Sequence, residues 1–326
     1  MEDHYLVTGA QGFIGAWIVK GLLEAGIPVT VFDLDTTPRR LRLIATDDQI
    51  ARVTFVRGDV TDLTAVEATV LSHGITRIIH LAALQIPACR ADPLMGARIN
   101  VLGTLTLFEV ARRHPKQVQR IVYASSIAVI GPEDAYTGPV ADDARLLPRT
   151  HYGVFKQANE GNALVYWLDN QVSSIGLRPY TVYGVGRDVG LTSAPTKAIK
   201  AAVAGQPYTI GFTGPNDMLY VNDCARAFIR CAQVPFQGAE VFNISGVMVT
   251  VEEFIAELEQ VIPEAKGLIR CQGNPIAIAP HLDDSRLRRL VPDLPRTPLR
   301  QGIEETAAIF RRLHREGRLD LSDLKG

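Results

Sequence analysis

The stretch HYLVTGAQGFIG, His4 to Gly15, constrains this chain more than any other segment. A short apolar run stops at Gly9, and a helical apolar pattern, FIGAWIVKGLLEAG, begins four residues later. A glycine-rich turn between a strand and a helix brings unpaired N–H groups and the positive end of the helix dipole to a phosphate. The three glycines have separate tasks. Gly9 permits the tight turn, Gly12 lets the backbone approach a pyrophosphate, and Gly15 lets helix and strand pack closely. Gly9, Gln11, Gly12, Phe13, Ile14 and Gly15 are therefore the expected phosphate cradle of a dinucleotide. Asp33 ends the next strand, PVTVFD, eighteen residues after Gly15. A carboxylate there accepts hydrogen bonds from the adenosine ribose and repels a 2′-phosphate. The expected cofactor is NAD rather than NADP, with Arg39 and Arg40 lying beyond the strand end.

Further along, strands alternate with helices. RVTFVRGD, TRIIHLAA, VQRIVYASS and SSIGLRP read as strands. LTAVEATVLSHG, residues 94–113 and residues 151–170 read as helices. The TRIIHLAA run is continuously apolar, as a strand covered on both faces should be. Alternation of this kind requires right-handed crossovers and a parallel sheet. The expected fold class is α/β, a Rossmann-type doubly wound parallel sheet with a smaller, partly discontinuous α/β substrate domain. The expected boundaries are 1–180 for the NAD-binding domain and 181–326 for the substrate domain, with parts of 220–245 returning to the first. In such sheets ligands bind at the carboxyl ends of the strands, so the second domain should roof that edge.

Composition excludes several alternatives. The net charge of −1 over 326 residues leaves no basic surplus for nucleic acid or an anionic membrane. Cys89, Cys224, Cys231 and Cys271 lack C-x-x-C spacing and a neighbouring histidine cluster, so no metal site is expected. They read as reduced thiols of a cytoplasmic protein. No signal peptide and no membrane-spanning apolar run is expected.

The chemistry resides in two places. Tyr152 and Lys156 stand four apart in a helical pattern and so share one face. A tyrosine hydroxyl titrates near ~10 and is a poor base at neutral pH, but a nearby ammonium favours the phenolate. Tyr152 then suits proton removal from a substrate hydroxyl, with Lys156 also available to the nicotinamide ribose. Ser125 and Ser126, the latter twenty-six residues before Tyr152, end a strand and could orient the reacting oxygen.

The motifs TGAQGFIG, GDVTD, HLAA, INVLGT, YASSIAVIG, YGVFK, LRPYTVYG and YVNDCARA occur in this order over nearly the whole chain. Their order resembles the extended short-chain dehydrogenase/reductases, within them the NAD-dependent epimerase/dehydratase family. The resemblance implies a homodimer built on the two helices 94–113 and 151–170. It selects Ser126 over Ser125, since the family's hydroxyl residue lies five before the glycine that is Gly131 here. It implies further that Asp59 and Val60 flank adenine, that Leu81, Ala82 and Ala83 underlie the cofactor, and that Asn100 lies near the active site. Pro179 and Tyr180 match the segment touching the nicotinamide.

Departures from the family pattern bear on substrate. Family members that dehydrate nucleotide sugars carry an acidic pair after the catalytic hydroxyl residue; Ile127 and Ala128 stand there. An asparagine and an arginine that hold a nucleotide diphosphate are replaced by Thr181 and Asn216, and a proline by Val185. Neutral side chains are poor substitutes for bidentate phosphate recognition. The expectation is an NAD-dependent oxidoreductase acting on a secondary hydroxyl of a small polyhydroxy substrate, a sugar, sugar acid or polyol. Gln85, Ser126, Thr181, Arg187 and Thr192 are the candidate substrate contacts. Two alternatives remain open: a sugar or nucleotide-sugar epimerase with retained NAD, and a non-catalytic NAD-binding regulator. His80 and His151 read as structural.

Overall fold

The computed structural model describes residues 3–324. Seven strands form one all-parallel sheet. They are β1 (Tyr5–Thr8), β2 (Val29–Asp33), β3 (Thr54–Arg57), β4 (Arg77–His80), β5 (Arg120–Ala124) and β6 (Ser174–Pro179), joined at one edge by Ala239–Ile244. With β7 (Thr181–Tyr183), β8 (Tyr208–Ile210) and β9 (Pro215–Tyr220) between, that edge strand is β10. The spatial order is β10-β6-β5-β4-β1-β2-β3. The order reverses between β1 and β4, which opens a crevice at their carboxyl ends.

Burial accounts for the sheet. Every residue of β1 and β6 is buried, as the apolar runs require of strands covered on both faces. Burying each Leu, Ile or Val side chain there contributes roughly 1.5–3 kcal/mol. One core unites the Phe13–Glu24 helix with the Val221–Gln233 helix, and a second unites the Leu63–Ser72 and Gly103–Arg113 helices under the opposite face. The chain after β6 builds a small sheet in the order β11-β9-β7, where β11 is Val247–Thr250, and a two-stranded pairing of β8 with β12 (Ile269–Cys271).

One helix differs from the pattern read in sequence. The stretch expected from residue 94 starts at Pro93, where Asp92 caps it by accepting from the Met95 N–H at 2.9 Å. Residues Arg98–Leu102 form a wider π turn before the Gly103–Arg113 helix. By length and composition the 21 residues Pro93–Arg113 are apolar enough to cross a membrane. Leu107, Phe108 and Val110 of that stretch are buried in the domain core.

Candidate active site

The phosphate loop leaves β1 at Gly9, whose φ is +68°. A Cβ at this position would lie 2.5 Å from the Ala82 nitrogen, so only glycine lets the loop lie against the end of β4. Asp33 ends β2 with its carboxylate accepting from the Gln11 N–H at 3.0 Å and the Leu34 N–H at 2.8 Å. Burial raises its pKa, and those backbone donors oppose the rise. A cleft of about 1080 Å³ opens along these elements. It is lined by Gly9, Gln11, Gly12, Phe13, Ile14, Gly15, Asp33, Asp59, Val60, Leu81, Ala82, Ala83, Pro179 and Tyr180. Glycine backbone at one end and a strand-end carboxylate beside it make a donor and acceptor set that fits a pyrophosphate and a ribose. Arg40 is not available to a 2′-phosphate. It donates to both Asp188 oxygens at 2.7 and 2.8 Å, to Gln11 O at 2.9 Å and to Gly186 O at 3.0 Å.

Asn100 is not brought to the cleft wall. The π turn aims its side chain at Leu84, whose N–H it accepts at 2.7 Å and whose carbonyl it bonds at 2.9 Å. Its own carbonyl takes a hydrogen bond from Asn159 at 2.8 Å. The amide therefore clamps the segment after β4, whose Leu84 lines the cleft.

Ser126, Tyr152 and Lys156 converge on the same cleft. Thr150 caps the His151–Asn170 helix by accepting from the Gly153 N–H at 3.0 Å, which puts Tyr152 in the first turn and Lys156 one turn on. Gly153 is what lets this helix approach the segment bearing Ser126: a Cβ there would sit 2.2 Å from the Ala128 carbonyl oxygen. Lys156 Nζ donates to Ala124 O at 2.6 Å and lies 5.5 Å from the Tyr152 ring centroid. Burial brings the Lys156 ammonium down to about 8. Burial pushes the Tyr152 phenol up, while the Ser126 hydroxyl and the Arg187 charge pull it back. The two serines are separated by their partners. Both line the cleft, but Ser126 accepts from the Ala128 N–H at 3.2 Å, whereas the Ser125 hydroxyl donates to Glu160.

Behind the site, Glu160 is held by Arg178 through two hydrogen bonds of 2.8 and 2.7 Å, both residues buried. Sequence patterning did not single out this pair; only the packing of the His151–Asn170 helix on β6 unites them. His80 lies between Thr8 at 2.6 Å and Thr104 at 3.0 Å, and burial drives its pKa down to about 3. It is a neutral structural imidazole. His151 is exposed and stacks on Phe155.

Gln85, Thr181, Arg187 and Thr192 also line the cleft. Ile276 and Ile278 also reach it from beyond β12, and the Tyr180 hydroxyl donates to Ile278 O at 3.3 Å. No motif marks these isoleucines, and they are distant in sequence from every other lining residue. Ile127 and Ala128 are buried and apolar. Asn216 is fully buried on β9 with both amide atoms unpartnered, and it does not line the cleft.

Comparisons with known proteins agree with this geometry. Residues 5–245 match the NAD dependent epimerase/dehydratase family. The chain is 31% identical over 322 residues to a UDP-glucose 4-epimerase of Mycolicibacterium smegmatis, covering 94% of this chain and 98% of that one. It is 25% identical to the Thermus thermophilus UDP-glucose 4-epimerase solved with NAD, with a TM-score of 0.78 over 94% of this chain and 99% of the other. The fold is shared as well with an epimerase-like L-threonine dehydrogenase from Cupriavidus necator, at 24% identity and a TM-score of 0.80 over 94% and 99% of the two chains.

Proposed function

The chain belongs to the NAD-dependent epimerase/dehydratase family, and from that premise we propose that it oxidises a secondary hydroxyl of a small, free polyhydroxy substrate. NAD held by the Gly9–Gly15 loop and Asp33 would supply the acceptor for the hydride of the carbinol carbon. Tyr152 takes the hydroxyl proton, Lys156 stabilises the phenolate by its charge, and Ser126 hydrogen-bonds the reacting oxygen. The ketone leaves, and Tyr152 returns its proton to solvent.

The observation that carries this reading is the lining of the substrate end. Thr181, Ile276 and Ile278 stand there, Asn216 is withdrawn into the small sheet, and Arg40 is committed to Asp188. Arg187 is the one partly enclosed cation there without an ion pair and Arg90 is exposed, fewer cations than a nucleotide diphosphate requires. The experiment adds NAD and a panel of sugars, aldonates, polyols and nucleotide sugars to the purified protein and follows NADH absorbance. NADH growth with a free polyhydroxy compound, and its loss by a factor of about 10²–10⁴ in Tyr152→Phe, is the expected result.

The 31% identity to a UDP-glucose 4-epimerase favours a second reading, an epimerase that retains NAD and returns the hydride to the other face. No NADH with any substrate, together with NAD released on denaturation, would establish it.

We also assign the molecule a homodimeric state and a cytoplasmic location. The two helical stretches Pro93–Arg113 and His151–Asn170 expose Leu94, Leu102, Val154, Leu164, Val165 and Leu168, apolar side chains suited to cover one another across a dimer. The four cysteines are unpaired, which suits a reducing compartment.

A further inference from the structure

We infer that Arg187 and Thr192 form a carboxylate-binding subsite beside Tyr152, so that the natural substrate is a hydroxy acid. The oxidation of that acid rests on the reading above; the subsite itself does not.

Arg187 is half-buried in the cleft wall, and among the described residues no carboxylate forms an ion pair with it. Its neighbour Asp188 is committed to Arg40. Its Nη2 donates to Thr192 Oγ1 at 2.8 Å, its Nε is buried without a partner, and its central carbon lies 5.9 Å from the Phe13 ring centroid. A buried charge left without a counter-ion is costly, and such groups are rarely fully buried unless paired. The cost is tolerable where a ligand supplies the missing charge.

The segment is built to hold this arginine in place. Arg40 grips it on both sides of Arg187, at the Gly186 carbonyl (3.0 Å) and at Asp188 (2.7 Å). Gly190, with φ +90°, leaves room between two polar groups: a Cβ there would be 3.3 Å from Gln85 Oε1 and 3.7 Å from Arg187 Nη2. Arg187, Thr192 and Gln85 therefore converge on one end of the cleft that also contains Tyr152.

The charge count selects the class of anion. Of the other cations lining the cleft, Arg40 is neutralised by Asp188, Lys156 is bound to Ala124 O, and Arg90 lies at the exposed mouth. That leaves Arg187 as the one free guanidinium enclosed by the cleft, and its planar donor fork matches a singly charged, planar carboxylate. A phosphate dianion would call for more than one cation.

The test uses the Tyr152→Phe protein saturated with NAD, in which binding is read without turnover. Calorimetry compares four- to six-carbon aldonates with the alditols of the same length, with and without the further change Arg187→Met. The expected result is aldonate binding that weakens on the order of 10- to 100-fold in Arg187→Met and is partly restored by Arg187→Lys. Equal affinity for aldonates and alditols, an equal loss for both, or no aldonate binding to the folded, NAD-loaded protein would overturn the subsite. A weakened NAD affinity in Arg187→Met would overturn it too, by assigning the arginine to the cofactor's pyrophosphate. Aldonate binding that depends on Arg187, with no NADH from the unaltered protein, leaves the subsite standing and refutes the dehydrogenase reading alone.

Discussion

Replacing Gly153 with alanine tests the packing that assembles the catalytic groups. The new Cβ would sit 2.2 Å from the Ala128 carbonyl oxygen, and neither partner is a flexible side-chain end. Relief to the 3.4 Å of ordinary contact requires the start of the His151–Asn170 helix and the turn after Ser126 to part by about 1.2 Å. Tyr152 is the residue before Gly153 and Ser126 lies two before Ala128, so the gap opens between the base and the hydroxyl that orients its substrate. Forced overpacking costs about 1–3 kcal/mol of stability, and a displacement near 1 Å costs about 100-fold in rate. Gly153→Ala should therefore lower the melting temperature by several degrees and kcat/KM by about two orders of magnitude. NAD affinity should change much less, since the phosphate loop and Asp33 lie on other elements. The same substitution at Gly161 in the same helix meets nothing within 4 Å, and turnover should be unchanged. Full turnover in Gly153→Ala would refute the claim that this close approach sets the catalytic geometry.

Further outcomes follow from other contacts. Asp33→Ala should weaken NAD binding about tenfold or more by removing the ribose acceptor, yet bring no useful NADP binding, because Arg40 stays paired with Asp188; fluorescence titration with both cofactors checks this, and tight NADP binding would contradict it. His80 is held neutral at a pKa of about 3 against 6.5 for a free side chain, by burial. The unfolded chain thus binds the extra proton first, and this residue subtracts stability as pH falls from about 6.5 towards 3. Urea unfolding at pH 7 and pH 5 should show a smaller pH-dependent loss in His80→Gln than in the unaltered protein, although the variant is less stable at both. Leu168→Glu places a charge on a side chain 63% exposed in the single chain. It should convert a dimer to a monomer by light scattering with little change in monomer folding, and an unaltered mass would remove this helix from the interface.

The positions expected to form the site are legible before any coordinates because its parts are local. The phosphate cradle is one turn, and the ribose carboxylate is a strand end at a fixed distance from it. Tyr152 and Lys156 are paired by the helix period alone. These features depend on spacing and backbone conformation, which short stretches of sequence encode. Asn100 shows where this stops. Its place in the motif order was plain, but the π turn at Arg98–Leu102 rotates it onto Leu84 and away from the cleft.

Local sequence settles the α/β class and the preference for NAD and points to Tyr152 and Lys156 as reacting groups, since each follows from neighbours close together in the chain. Long-range packing sets which partners these groups meet. It paired Ser125 with Glu160, tied Arg40 to Asp188 across the two parts of the chain, brought Ile276 and Ile278 to the cleft, and left the Arg187 Nε without a partner. Those outcomes depend on which distant residues a side chain meets. No local period encodes that, because burial and pairing of charge are settled by the whole packed fold.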